Sequence, residues 1–191
     1  QRVEKRYKTY FVESDTATYY RVVDRYVTEL AKKHTMQIVN FEPIVKALRV
    51  YNLFRELNSQ EVEKLIVEGS YPIHPVSLFL LPRVSKVFGQ NERTLFTFLE
   101  STDTGGLRHH IVSNTEYYYP HHLFDYFFKD FEEFYLDELS QSIVKTYKKN
   151  IAKIDSKDMK LQQVLKLVTM WQLTNSNSIY PLSKDLVQFS L

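Results

Sequence analysis

An all-α fold, a bundle of seven to nine helices, is predicted by three observations. Apolar residues recur at spacings of three and four along nearly the whole chain. Helix-start signals precede several of these runs. Glycine is scarce, with four in 191 residues, where about 7% is usual, so tight turns are few.

Tyr19, Val22, Val23, Tyr26, Val27 and Leu30 form one stripe behind the capping residues Ser14, Asp15 and Thr16, predicting a helix over about 16–33. Tyr7 to Val12 ahead of it reads as a short strand or an extended arm. Pro43 opens a second helix that the pattern carries to Leu57. Asn58-Ser59-Gln60-Glu61 has capping-box spacing, and the helix it starts stops at Gly69. Each proline of Tyr71-Pro72-Ile73-His74-Pro75 pushes its predecessor out of the α region, so helix breaks there. Val76 to Phe88 is helical again, with a kink or two abutting helices at Pro82, and Gly89 ends it. Gln90 to Thr94 opens a short helix carrying Leu95, Phe96, Phe98 and Leu99.

Ser101 to Asn114, with Gly105-Gly106, reads as the one flexible loop and the internal boundary. It divides an N-terminal sub-bundle, 1–104, from a C-terminal one, 105–191. Beyond Pro120, apolar residues from Leu123 to Tyr147 trace one face of a single long helix, closed by positive charge from Lys145 to Lys153. Leu161, Val164, Leu165, Val168 and Trp171 mark a further helix. Asn175 to Ser178 is a turn, and Ser183 starts a last short helix.

Composition removes several functions. Twenty-five basic against 23 acidic residues leave +2, which is neither a nucleic-acid tail nor an acidic solvating segment. The absence of cysteine excludes a disulfide scaffold, a Cys-ligated zinc site and a cysteine nucleophile. No apolar run reaches the ~18 residues of a membrane span. A first residue Gln, with no leader pattern, reads as a piece of a larger cytoplasmic protein. Gly69, Gly89, Gly105 and Gly106 do not make a phosphate loop, so no triphosphate site of that kind lies in this chain.

Candidate chemistry is thin. His109-His110 and His121-His122 invite a metal, but neighbours on a helix point about 100° apart. Neither pair has the i, i+4 spacing of helical zinc sites, so loop and cap roles are favoured and no metal is expected. His74, between two prolines, is expected to hold a turn. Asp125, Asp130, Glu132, Glu133, Asp137 and Glu138 lie beside the aromatic stripe as a solvated face rather than an acid–base pair. No serine has a triad context, and no catalytic residue is assigned. The twenty-eight aromatic residues read first as a bulky core and second as a contact surface for the rest of a larger protein. Lys145, Lys148, Lys149 and Lys153, with Lys157 and Lys160, outnumber Asp155 and Asp158 by four charges and suggest a nucleic-acid face. Arg2, Lys5, Arg6 and Lys8 form a second basic patch.

YPIHPVSLFLLP from Tyr71, GQNERTLFTFL from Gly89 and LFDYF at 123–127 stand in an order that resembles the helical region downstream of the ATPase core in large bacterial P-loop ATPases, AAA+-like or STAND-like, often encoded beside restriction and antiphage defence genes. Val164 to Leu173 and Leu182 to Leu186 are similar to the opening helices of a winged-helix-like module in such proteins. The likeness covers about residues 55–191. Thr97 stands where the pattern has Ser, and Trp171 where a smaller apolar residue is commoner; the ATP-binding half is missing.

The resemblance implies a lid and transmission element without its own catalysis. Arg93 would sense the γ-phosphate, since guanidinium binds phosphate bidentately. Glu92 would pair with it or cap the helix, and Gln90 and Asn91 would satisfy N–H groups at the helix start. No cofactor is expected on the chain alone, with ATP and magnesium assigned to the parent protein. The expected partners are the remainder of that ATPase, a second copy of the chain, and DNA, but no membrane. Two rival readings stand beside it: a DNA-binding module, helical or winged-helix-like, and a freestanding protein-interaction bundle.

Overall fold

The computed structural model of the chain describes residues 16–31, 40–87, 91–113, 116–128 and 137–191, with residues 31 and 91–94 described in backbone only. Among these the fold is all-α, with ten α-helices, eight of them seven residues or longer.

Helix α1 (Thr16–Ala31) buries Tyr19, Val23, Val27 and Leu30 of the predicted stripe and packs its Val22 and Tyr26 half-buried against the core, and it also buries Tyr20, which the stripe does not include. Helix α2 (Glu42–Tyr51) has proline in its first turn and ends at Asn52 in the left-handed region (φ 38°), whose N–H donates to the Leu48 carbonyl. The helix therefore closes before Leu57. Asn tolerates this conformation better than any residue but Gly, and Leu53 and Phe54 then turn into the core.

Asn58 caps α3 (Ser59–Glu61): its Oδ1 accepts the Gln60 and Glu61 N–H groups, and Glu61 Oε2 accepts the Asn58 N–H, completing the expected box. The chain widens at once into a π-helix, Val62–Glu68, closed by the Gly69 N–H on the Lys64 carbonyl. A Cβ on Gly69 would fall 1.8 Å from Asp24 Oδ1 of α1, so glycine allows the two helices to approach.

Helix α4 (Pro75–Val87) is the centre of the molecule, with ten of its thirteen residues buried. It runs through Pro82, and Arg83 Nη1 donates to the Phe79 carbonyl beside the proline's missing donor. Against it pack α1, α5 (Asn91–Glu100), α7 (Pro120–Phe128) and α9 (Met159–Leu173). The rings of Tyr20, Phe54, Phe79 and Trp171 follow one another through the core at centroid separations of 5.2, 6.2 and 5.3 Å. Trp171 is fully buried, and its indole N–H donates to the Tyr180 carbonyl at 3.0 Å. Buried residues from Tyr19 to Leu186 belong to one hydrophobic cluster, so much of the aromatic content fills a core.

Two further expectations are corrected. The stretch 101–114 is not a loop throughout: Leu107–Ser113 is a helix, α6, burying Leu107, His110 and Ile111. The single long helix expected beyond Pro120 is interrupted: the described residues hold α7 and a separate helix. Helix α8 (Glu138–Ile151) starts afresh at Asp137, whose extended backbone (ψ 166°) and carboxylate, accepting the Ser140 N–H at 2.7 Å, form a new N-cap. Helix α9 packs against α8 and is capped by Asp158. The turn at Ser176–Ser178 is one 3-10 turn, and Ser183 caps α10 (Lys184–Phe189) as its position predicts. Tyr7 to Val12, the basic residues Arg2 to Lys8, and Gly89 lie outside the described residues. No helix of the described residues is long and apolar enough to cross a membrane.

Candidate functional site

The Tyr71–Pro75 segment and the three consecutive tyrosines 117–119 meet at the start of α4. The Tyr118 N–H donates to the Pro72 carbonyl (2.7 Å) and the His74 N–H to the Tyr118 carbonyl (3.1 Å), forming an isolated parallel bridge between Ile73 and Tyr118. Ser77 Oγ donates to the same Tyr118 carbonyl at 2.7 Å. The Tyr118 hydroxyl donates to the Gly105 carbonyl at 2.6 Å, at the one described glycine with positive φ (96°). Tyr118, fully buried, thus ties α4 to the turn that starts α6.

His74 is the N-cap of α4. Its Nδ1 accepts the Val76 N–H at 3.3 Å, so the neutral ring carries its proton on the other nitrogen, and the ring also bonds to the backbone of Phe189 in α10. It stacks on Tyr119 at 5.1 Å and meets Phe189 at 4.8 Å. Burial pushes its pKa down to about 3. The expected turn-holding role is observed, and it extends to the far end of the chain.

A second imidazole group lies behind Tyr118. His110 Nε2 is 2.9 Å from the Glu116 carbonyl oxygen, and its ring is 5.0 Å from Tyr118 and 5.2 Å from His122. His122 Nδ1 accepts the Tyr119 N–H at 3.2 Å, reaching back as the third residue of a capped helix does. His121 lies 4.0 Å from His122 and stacks on Tyr119, and its Nε2 is 3.4 Å from the Gln163 amide nitrogen of α9. Burial holds His121 at about 3 and His122 at about 4, with the neighbouring rings and Lys166 adding to both shifts. The cap role expected of the paired histidines is seen at His122. Among the described residues no group of three or more His, Asp or Glu is placed to hold a metal ion.

The remaining candidates fall in different places. Gln90 lies outside the described residues, while Asn91, Glu92 and Arg93 form the first turn of α5 in backbone, their side chains outside the described set. Asp125 pairs with Lys166 across α7 and α9 at 2.6 Å. Asp137 is the α8 cap, and the backbone and hydroxyl of Ser140 hold its carboxyl below the usual range. Asp130, Glu132 and Glu133 lie outside the described residues. Lys145, Lys148 and Lys149 stand exposed on α8, and Lys153, Lys157 and Lys160 follow, also exposed, through the turn into α9.

Sequence reasoning placed His74 but missed Tyr118, whose hydrogen-bond partners, from Gly105 to Pro72, lie far along the chain and leave no local signal. It also missed that His110 and His122 would converge.

No family model matches the chain, and no curated protein and no solved structure matches it.

Proposed function

We propose that this chain is a non-catalytic helical lid and transmission domain of a larger, cytoplasmic P-loop ATPase, coupling nucleotide state to an effector or nucleic acid. ATP and magnesium would be held by the ATPase core. Arg93, in the first turn of α5, would reach the γ-phosphate, aided by Gln90, Asn91 and Glu92.

The observation that carries this reading is the joint at Tyr118. There α4, the α6 turn, the start of α7 and the end of α10 are fastened through buried hydrogen bonds and stacked rings. An element that transmits a displacement needs distant segments held as one body, because coupling travels through packed side chains and hydrogen bonds with discrete arrangements. Helix α5 contacts both α4 and α6, so a shift of Arg93 would reach this joint directly.

The test is ATP turnover and ATP affinity of the full-length protein with Arg93→Ala. The reading expects both to fall. Unchanged values would remove Arg93 from the mechanism. An upstream reading frame lacking a GxxxxGK[ST] motif would overturn the ATPase reading itself. A second reading, a DNA-binding module, draws its support from the exposed lysines of α8 and the α8–α9 turn.

A further inference from the structure

We propose that the outer face of α8 and the α8–α9 turn form a docking surface for the phosphate backbone of duplex DNA, with Lys145, Lys149, Lys153 and Lys157 as its contacts. The inference deepens the nucleic-acid arm of the function proposed above and rests on it.

Helix α8 has two unlike faces. Ser140 and Val144 are buried, and Ile143 and Tyr147 pack on the core, while Leu139 at its N-terminal end stays exposed. Lys145, Lys148 and Lys149 stand on the exposed side. Lys145 and Lys149 are one turn apart, ~6 Å of rise, comparable to two phosphate intervals along one DNA strand. Lys153, Lys157 and Lys160 continue the positive surface through the turn.

Six lysines face two acids in this stretch, and both acids serve the turn. Asp155 Oδ1 accepts the Lys157 N–H at 2.9 Å, and Asp158 Oδ1 accepts the Leu161 N–H at 3.0 Å. Among the described ion pairs none includes Lys145, Lys149, Lys153 or Lys157. These four lysines therefore have no carboxylate partner among the described ion pairs.

Charge complementarity selects a polyanion. An anionic bilayer would also meet the charge, but a helix that lies in a membrane interface needs a free apolar face beside its lysines. Ile143, Val144 and Tyr147 of α8 are turned into the core instead. Leu139 stands exposed at the N-terminal end of α8, and the exposed Met159 and Leu161, two positions apart at the start of α9, point to different sides of that helix, so the three make no continuous apolar stripe. The four contacts are lysines, point charges suited to phosphate rather than base edges, so binding would be strongly salt-dependent and weakly sequence-dependent.

The test is titration of the chain with a short mixed-sequence duplex across a salt series, without ATP. Neutralising four phosphates predicts a slope of log K against log salt near about −3.6, so affinity falls roughly 150-fold between about 50 and about 200 mM. Lys145→Gln with Lys149→Gln should weaken binding and bring the slope to about −1.8. Lys46→Gln on α2 should change neither. Circular dichroism establishes that each variant folds.

No binding at the lowest salt overturns the proposal, as does an unaltered slope in the double variant. Phosphatidylserine vesicles binding as tightly as the duplex, with the same dependence on Lys145 and Lys149, would reassign the surface to a membrane. None of these results touches the Arg93 turnover test, so the two readings fail separately.

Discussion

The His74 ring makes a sharp prediction because its three roles are separable. It caps α4 through the Val76 N–H, bonds to the Phe189 backbone and fills an aromatic pocket. It is 1% exposed, and burial takes its pKa from 6.5 to about 3. The folded chain therefore keeps His74 neutral, while the unfolded chain binds a proton below about 6.5. Stability owed to this difference is intact above that pH. It is lost as pH falls through the window from about 6.5 to about 3, at ~1.4 kcal/mol per unit. At pH 5 the native state should be about 2 kcal/mol less stable than at pH 7 on this account alone.

His74→Asn keeps an N-cap acceptor and removes the titration. Its loss of ring contacts should cost on the order of 1–3 kcal/mol at pH 7, yet its stability should fall less steeply with acid, by about 1.4 kcal/mol per pH unit. Urea unfolding of both proteins at several pH values between 7 and 4 reads this directly. Equal slopes would refute the claim that His74 is buried neutral. His121 and His122 are shifted in the same direction and add to the acid sensitivity that both proteins share.

Two further substitutions test the frame. Asn58→Ala removes both accepted N–H bonds of the capping box and should lower stability by about 1 kcal/mol in urea unfolding; no change would mean the box is not formed in solution. Trp171→Phe deletes the donor to the Tyr180 carbonyl and part of the ring stacked on Phe79. It should destabilise by about 2–4 kcal/mol by the same assay, and a cost below about 0.5 kcal/mol would place the ring outside the core.

What was legible in the sequence is what neighbouring residues decide. The box from Asn58 to Glu61, the Ser183 cap, the stripe of α1 and the turn held by His74 all depend on partners within a few positions. Helix α6 was hidden because it is seven residues long and starts beside two glycines. Asp137 misled for a different reason: a carboxylate following an apolar run suits a solvated helix face and an N-cap equally, and only the extended backbone separates them. Asn52 likewise ends α2 by adopting a left-handed conformation that its side chain permits but does not demand. At the candidate site, Tyr118 pairs with Ile73 and Gly105 across intervals that no periodicity spans.

Duplex-dependent ATP turnover of the full-length protein, compared between the wild type and Tyr118→Phe, tests the proposed transmission most directly. The substitution removes the hydroxyl that donates to Gly105 and retains the ring. With about 1 kcal/mol lost from the joint, basal turnover should persist while the response to duplex falls about fivefold. A response equal in both proteins, or absent from the wild type, would contradict the account.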